Sequence, residues 1–411
     1  MDPRSIPDDI AEIGRSLLRF VTQEVEPLER ANAELLASER TIYDASGRFV
    51  PEVLGLRAEV RKRSAEAGFY TMFGPEELGG GGLGPVAAVY LNALLSEATG
   101  PGRVLVHPVV IPSPFTNGLS PILTALQPHL RDRYLGALAD GSRTLCFALS
   151  EPDAGSDVFA MKSRAVRDGD DWVLTGTKQW ITNGPYADHV MVFAVTDPEL
   201  AAARKGGVTG FLVSTDQPGF SVVSTIPTMG HLGAEIGILS FDGVRIPDDH
   251  RLGAVGDGMS VALQGVNLGR LGLSATCIGL SRWALTQALD YAATRKTFGT
   301  AIGNHQAVQA LLADSALDIY SAETMLLDCA RRLEHGDRAL AELSMVKLHC
   351  TEAANRVFDR CMQVHGGMGL TNELRLEDGY RFTRSMRIPD GTSEIQRRTV
   401  ARALLSRGIG F

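Results

Sequence analysis

The apolar positions of the chain fall into three successive textures. From Ile6 to Leu138 they recur at three- and four-residue steps, as in Ile10, Ile13, Leu17, Phe20 and Val21, then Leu54 and Val60, with Pro and Gly between the runs. Such spacing lines one face of a 3.6-residue turn, so this segment predicts packed helices joined by loops. From Thr144 to about Gly253 the texture changes to short runs rich in Val, Ile, Phe, Thr and Trp, separated by the turn signals DGDD, TNGP, DQPG and FDGV. WVLTGTKQWIT, HVMVFAVT, GFLVST and ILSFDGVRI each have the length and composition of a strand, which predicts a β domain. From Gly258 the helical period returns, with Val308, Leu312, Ile319, Leu326, Ala330 and Leu333 mostly on one side of the wheel. The expected organisation is a helical domain over 1–142, a β domain over 143–254 and a helix bundle over 255–411, an α+β chain that is mostly α.

Composition narrows the function without changing this picture. The 411 residues are 44% hydrophobic and 21% charged, with 44 Gly and 19 Pro, the profile of a folded chain of two or three domains. The formal net charge is −8 and no run of five basic residues occurs, so nucleic acid is not an expected partner. Cys146, Cys277, Cys329, Cys350 and Cys361 are scattered without a CxxC pair, which indicates neither a disulfide framework nor a metal site. The stretch MDPRSIPDDIAEIGRSLLRF has early acids and helical periodicity where a signal peptide has a basic stub and an apolar run. The longest uncharged run, Val104 to Leu130, is interrupted by Pro108, Pro112, Pro114, Pro121 and Pro128 and cannot form a membrane-spanning helix. A soluble, cytoplasmic protein is expected.

Few motifs carry chemistry. Gly79 to Gly84, GGGGLG, formally satisfies GxGxxG, but PEEL and a helical pattern precede it where a dinucleotide fold needs a strand, so a flexible loop is expected. No P-loop, GxSxG elbow or HExxH helix occurs. The most informative segment is Cys146 to Gly184, CFALSEPDAGSDVFAMKSRAVRDGDDWVLTGTKQWITNG. In it SEPDAGSD joins a strand end to a proline turn and small residues whose N–H groups and hydroxyls can approach an anionic or carbonyl-rich ligand, such as a flavin and its pyrophosphate. Trp180 and Thr182 stand two apart on a strand and share a face, where an indole can flank a planar ring and a hydroxyl can meet its edge. The same pair also reads as a core tryptophan followed by a turn.

Taken in order, SEPDAGSD, KQWITNG, MG…FDGVRIP, RKTFGTAIGNHQ, QVHGGMG and IPDGTSEIQR resemble the acyl-CoA dehydrogenase family over nearly the whole chain. Ordered motifs at compatible spacings are far more specific than any one of them. The resemblance implies an N-terminal helical domain, a middle β-barrel or sandwich domain and a C-terminal four-helix bundle. It further implies FAD held between the last two and shared across a subunit interface, in a homotetramer or homodimer. Carried over by position, Phe147, Leu149 and Ser150 line the flavin, Ser150 by a hydrogen bond near its reactive edge, with Trp180 and Thr182 on the opposite side of the ring system. Gly155 and Ser156 bound the loop near cofactor and substrate. Arg295, Phe298 and Gln306 correspond to residues that reach the FAD of a neighbouring subunit, Arg295 as a planar donor fork for the pyrophosphate. Arg295 also reads as a solvated cation at a helix end. Gln363, Gly366 and Gly367 match the family's adenine-side loop, and His365 within it is expected to be structural.

Dehydrogenation across Cα and Cβ of an acyl thioester needs a carboxylate to take the α-proton while the β-hydride goes to flavin N5, and donors on the thioester oxygen. The family usually has Glu before a Gly-Thr pair. Here Asp390 stands there, one methylene shorter, which shifts the carboxylate by about 1.5 Å at full reach. Some relatives place the base instead just before an Arg on the first helix of the C-terminal domain. In VALQGVNLGRLG that position is Gly269, ahead of Arg270, so Asp390 is the candidate base. Ser156, Arg270 and Gly391 are the implied substrate contacts, while Thr392 and Glu394 complete the cofactor contacts, Glu394 replacing a frequent Gln. Burial against the flavin is expected to raise the Asp390 carboxyl above its reference pKa of about 3.9. Asp390 also reads as a cap for the helix TSEIQRRTVARALL. The Arg familiar near MGHLGAEIG is absent, His231 and Leu232 occupying that stretch. The implied reaction converts an acyl-CoA, or an acyl-carrier-protein thioester, to the trans-2-enoyl thioester, electrons passing to an electron-transferring flavoprotein or similar acceptor. The alternatives are a flavin oxidase or monooxygenase on the same fold and a non-catalytic subunit of a heteromeric dehydrogenase.

Overall fold

The computed structural model describes residues 6–408; residues 1–5 and 409–411, which include the first positions of the N-terminal stretch read above, lie outside the described residues. The longer helices, in chain order, are α1 (Asp8–Phe20), α2 (Pro51–Glu66), α3 (Pro85–Thr99), α4 (Pro128–Ala139), α5 (Gly258–Thr294), α6 (Gln306–Glu334), α7 (Leu340–His365), α8 (Leu376–Ser385) and α9 (Ser393–Arg407). The strands are β1 (Leu145–Ala148), β2 (Arg164–Asp168), β3 (Asp171–Thr182), β4 (His189–Val195), β5 (Val208–Ser214), β6 (Phe220–Thr225), β7 (Ile236–Pro247), β8 (Arg251–Leu252), β9 (Lys296–Thr297) and β10 (Thr300–Ala301). Proline opens α2, α3 and α4, because its missing N–H and fixed φ suit the first helical position.

The chain divides into two compact units assembled from separated segments, Phe20–Leu83 with Val104–Val266, and Met1–Arg19 with Gly84–Arg103 and Asn267–Phe411. The N-terminal helices are thereby distributed, α3 grouping with the C-terminal helices and α2 and α4 with the sheet.

In the first unit β1 to β8 form one eight-stranded sheet ordered β6-β7-β3-β2-β4-β5-β8, with β1 parallel to β4. β4 reads as an unbroken apolar run because both of its faces are covered. Val190, Val192 and Ala194 join a core with Trp172, Leu174, Phe211 and Phe241. Met191, Phe193 and Val195 point the other way, into a core with Leu130, Tyr134 and Leu138 of α4. β3 and β7 pair along most of their length, and the ladder slips by a residue between Lys178 and Ile181. Trp180 absorbs the extra residue at φ 66°, a left-handed conformation that bulky side chains rarely adopt.

In the second unit α5 and α6 run beside α3, and α7 packs on α6 and carries α8 and α9. A Cβ at Gly279 of α5 would lie 2.2 Å from the Ala93 carbonyl oxygen of α3, so only glycine permits this close approach. One turn on, Arg282 donates to Glu97 of α3 at 2.7 Å and to Glu323 of α6 at 3.1 Å. Among the described residues no helix is long and apolar enough to cross a membrane, and no cluster of His, Cys, Asp or Glu is arranged to hold a metal ion. The five cysteines are free and buried. Gly79–Gly84 follows the 3₁₀ turn Glu76–Leu78 and not a strand, so the dinucleotide geometry is missing there.

Candidate active site

The loop between α8 and α9 carries Asp390. Thr392 caps α9, its hydroxyl accepting from Ile395 N–H at 3.3 Å, so the capping reading of Asp390 passes to Thr392. Asp390 and Gly391 have φ of 56° and 94°, and for aspartate this left-handed region costs on the order of 1 kcal/mol. Side chains from three helices hold the pair in place. Arg270 of α5 donates Nε–H to the Asp390 carbonyl at 2.9 Å, and Gln396 of α9 donates to that oxygen at 3.0 Å and to the Gly391 carbonyl at 2.9 Å. Lys347 of α7 donates from Nζ to the Gly391 carbonyl at 2.9 Å. At Gly391 a φ of 94° disfavours any side chain, and a Cβ would also lie 2.7 Å from Gln396 Nε2 and displace that anchor.

With both carbonyls occupied, the Asp390 N–H has no acceptor and its half-buried carboxyl has no hydrogen-bond donor among the described residues. Burial raises this carboxyl to about 6, against the attraction of Arg270 and then Lys347. Burial also pulls the Arg270 guanidinium below its ordinary value and Lys347 down to about 8. Lys347 and Gln396 escaped the sequence reading. The available signal was a lysine at an apolar register of α7, beside Leu343, Val346 and Cys350.

A second group lies on the sheet unit. Ser150 donates its hydroxyl to the Gln179 carbonyl at 2.7 Å while Gln179 N–H returns a bond to the Ser150 carbonyl at 3.0 Å, which seats the SEPDAGSD loop beside Trp180. The Ser150 hydroxyl therefore offers a ligand only its acceptor lone pairs. Beneath the loop, Glu151 accepts from Lys178 Nζ at 2.7 Å and from the N–H groups of Lys162 at 2.6 Å and Ser163 at 3.1 Å. Lys178 also donates to the Leu149 carbonyl at 3.0 Å. Although burial pushes the Glu151 carboxyl up, Lys178 and the backbone donors outweigh it and hold it below its ordinary value. Phe147 packs between Phe115 and Phe193, each ring 5.1 Å away, and Leu149 packs on the same core. Trp180 is 53% exposed, Thr182 is exposed and Ile181 between them is buried, so indole and hydroxyl share the outer face. Gly155 and Ser156 are exposed. His231 and the Leu232 N–H both bond to Glu39, the latter at 2.6 Å.

A third group stands at the far end of α5. The hairpin β9–β10 displays Phe298 at its tip, 97% exposed, and the exposed Arg295 guanidinium has no partner among the described residues. Gln306 opens α6. His365 is buried, bonds through Nδ1 to the Cys361 carbonyl at 2.8 Å and stacks on Tyr291 at 4.6 Å, a structural role that ties the end of α7 to that of α5. Gln363, Gly366 and Gly367 are exposed beside it, and Glu394 is exposed 3.9 Å from Arg397. Along α5, Arg270 and Tyr291 are about six turns apart, or roughly 30 Å. The first and third groups are therefore not brought together within one chain. Taken separately, the outward indole suits the face of a planar ring, while the Arg295 guanidinium, unpartnered among the described residues, and the open Gly366–Gly367 backbone suit a diphosphate.

Residues 146–244 match the family model "Acyl-CoA dehydrogenase, middle domain", and residues 256–405 match "Acyl-CoA dehydrogenase, C-terminal domain". The mitochondrial short-chain specific acyl-CoA dehydrogenase of Homo sapiens is 35% identical over 368 residues, 90% of this chain and 87% of that one. Caffeyl-CoA reductase-Etf complex subunit CarC of Acetobacterium woodii is 31% identical over 377 residues, covering 92% and 96%. The crystal structure of a glutaryl-CoA dehydrogenase from Mycobacterium smegmatis in complex with FADH2 matches with a TM-score of 0.82 and 26% identity, covering 100% of this chain and 98% of that one. The fold and these matches define a flavin-dependent oxidoreductase. The chain belongs to the acyl-CoA dehydrogenase family, and its cofactor is FAD.

Proposed function

We propose that the protein oxidises the Cα–Cβ bond of an acyl thioester to the trans-2-enoyl thioester, with Asp390 as the base that takes the α-proton. The observation that supports this most is the Asp390 carboxyl itself, half-buried, free of hydrogen-bond donors among the described residues and raised to about 6. Such a group is ionised at pH 7 yet poorly solvated, the condition of an effective general base. The adjacent N–H has no acceptor among the described residues, which suits donation to the thioester oxygen as negative charge develops there. FAD, when bound, supplies the hydride acceptor. Trp180 and Thr182 are the proposed flank of its ring system, Arg295 the fork for its diphosphate, and Gly366 and Gly367 the backbone on its adenine side. Arg270, Gly391 and Ser156 are the proposed substrate contacts.

The separation along α5 between Arg295 at its end and Arg270, which holds Asp390, supports a cofactor shared between protomers of a homodimer or homotetramer. Outward apolar side chains on the same helical unit, among them Phe298 at 97%, Tyr320 at 71% and Leu405 at 89% exposure, fit such an assembly. Electrons are then passed to an electron-transferring flavoprotein, a partner consistent with the name of the Acetobacterium woodii relative. That name also favours a second reading, reduction of an enoyl thioester, in which Asp390 returns the α-proton; a carboxyl near 6 serves either direction.

Anaerobic titration of the yellow protein with saturated acyl-CoAs of graded length, and with the matching acyl-carrier proteins, tests this reading. One member of the panel bleaches the flavin band and so identifies chain length and carrier, and Asp390→Asn keeps FAD while losing the bleaching. Bleaching that survives in Asp390→Asn assigns the base to another residue.

A further inference from the structure

We infer that Lys347 is a positioning residue for the Asp390 base, holding the left-handed Asp390–Gly391 pair in the orientation that presents the carboxylate by donating its ammonium to the Gly391 carbonyl. The inference rests on the assignment of Asp390 as the base.

Lys347 is completely buried, and the Gly391 oxygen at 2.9 Å is the one acceptor its Nζ meets among the described residues. Burying an ammonium is expensive unless a carboxylate and further acceptors surround it. Lys178 shows the usual solution, with the Glu151 carboxylate at 2.7 Å and the Leu149 carbonyl at 3.0 Å. Lys347 has no such carboxylate within hydrogen-bond distance among the described residues. Leu343, Val346 and Cys350 beside it on α7 are buried and apolar, and the buried hydroxyls of Ser344 and Thr351 one turn to either side make no bond to its ammonium, so a methionine at 347 would suit this face without the desolvation cost. Packing of the bundle does not account for a lysine there; the loop carbonyl does.

The geometry specifies what the lysine controls. Peptide planes are rigid, so fixing the oxygens of Asp390 and Gly391 fixes the two peptide units on either side of Gly391 and with them the place of the Asp390 Cα, from which the left-handed φ of 56° sets the bearing of the side chain. Arg270 and Gln396 hold the first oxygen, and Gln396 and Lys347 the second. Both residues have positive φ, so with an anchor removed the pair relaxes toward ordinary backbone, and Asp390 has the more to gain. The charged and titratable groups facing Lys347 are Asp390, Cys277 and Arg270 of α5, and Glu352 of its own helix, with Asp390 the foremost attractor. Lys347 accordingly also favours the ionised form of the carboxyl it positions.

Lys347→Met, in the full-length FAD-loaded protein, removes donor and charge at nearly constant volume. Flavin reduction by the acyl-CoA identified above is followed by anaerobic rapid mixing between pH 5 and 9. The expected result is FAD content and acyl-CoA affinity within about threefold of the parent and a reduction rate lower by about 10- to 100-fold. The acid limb of the rate profile also moves up by about half a unit or more, because a cation favouring ionised Asp390 has gone. A parental rate with an unmoved limb overturns the inference. If Lys347→Met does not fold, Lys347→Gln is read instead. It keeps a donor but not the charge, so the rate falls by less than the loss expected for methionine while the limb still shifts, and an unmoved limb with parental rate again overturns it. Failure of both variants to retain FAD overturns it as well, by assigning Lys347 to bundle stability. Asp390→Asn, run in parallel, separates the two claims: full reduction there refutes the assignment of the base, whatever Lys347 does.

Discussion

Arg270 meets Asp390 at its main-chain oxygen, 2.9 Å from Nε, and not at its carboxylate. The distinction decides the chemistry. A bidentate guanidinium on the carboxylate would hold it ionised and well below its ordinary pKa, a poor base. With the Nε–H directed to the backbone and no guanidinium N–H on the carboxylate among the described residues, burial prevails and the carboxyl stands near 6. One cation thus anchors the loop at full hydrogen-bond strength while acting on the acid only through space.

Arg270→Lys retains the charge but loses the fixed Nε–H that the Asp390 carbonyl requires, since a lysine ammonium presents a point charge on a flexible stem. The expected outcome in rapid-mixing experiments is normal FAD content with flavin reduction slowed on the order of 10²-fold, the cost of carboxylate misplacement by about 1 Å. A rate within twofold of the parent would show that charge alone suffices.

Asp390→Asn should abolish reduction and raise stability. The folded carboxyl titrates near 6 and its reference value is 3.8, so the neutral form is favoured by folding. That contribution is fully present below about 4 and is lost as pH rises through about 6. Above that range the parent bears the cost of a buried carboxylate and the asparagine variant does not. The gain is about 1–2 kcal/mol, smaller than the full shift implies because Arg270 and Lys347 lose their attractor. Urea midpoints of FAD-loaded proteins at pH 5 and pH 8 check this; a gap that narrows toward pH 8 contradicts it.

The parent's own rate profile follows from the same group. As the proposed base, Asp390 accepts a proton only when ionised, so the rate of flavin reduction at saturating acyl-CoA is expected to rise with pH and level off above about 6, a value the bound substrate moves upward by further desolvation. A profile flat from pH 5 to 8 removes Asp390 from the proton-transfer step.

Local periodicity made much of this legible. The stripes of α6, the alternation that gives Trp180 and Thr182 one face, and the two-faced run of β4 are all patterns within a few residues of themselves. What stayed hidden depends on partners distant in sequence. The bulge at Trp180 exists because β3 pairs with β7, some sixty residues on, and nothing local marks it. The grouping of α3 with the C-terminal helices turns on Gly279 and Arg282 meeting its far side. The Ser150 hydroxyl is directed by Gln179, and the Asp390 loop by Lys347 and Gln396, whose side chains converge only once α5, α7 and α9 have packed. Residue types announced the chemistry; the anchoring required the fold.

The Glu151–Lys178 pair offers a test of how far the loop that carries Ser150 depends on a buried charge. Glu151 is 5% exposed and Lys178 is fully buried, with the carboxylate also receiving the N–H groups of Lys162 and Ser163. Glu151→Gln removes the negative charge and leaves an ammonium in the core, a change expected to cost about 2–4 kcal/mol at pH 7. The loss is limited because Lys178 can shed its proton. Burial already holds it near 8, below its reference value of 10.5, and without Glu151 it falls further. Its neutral form is therefore the one folding favours, and raising the pH toward 9 removes the charge from parent and variant alike, so the deficit shrinks. Lys178→Met leaves Glu151 with its backbone donors and is the milder single change, while Glu151→Gln combined with Lys178→Met recovers most of the stability because no unpaired charge remains. Urea midpoints at pH 7 and 9 give the energies, and FAD released on dilution reports the loop. A double variant no more stable than Glu151→Gln alone would mean that the pair's hydrogen bonds to Leu149, Lys162 and Ser163, and not its charge balance, hold SEPDAGSD in place.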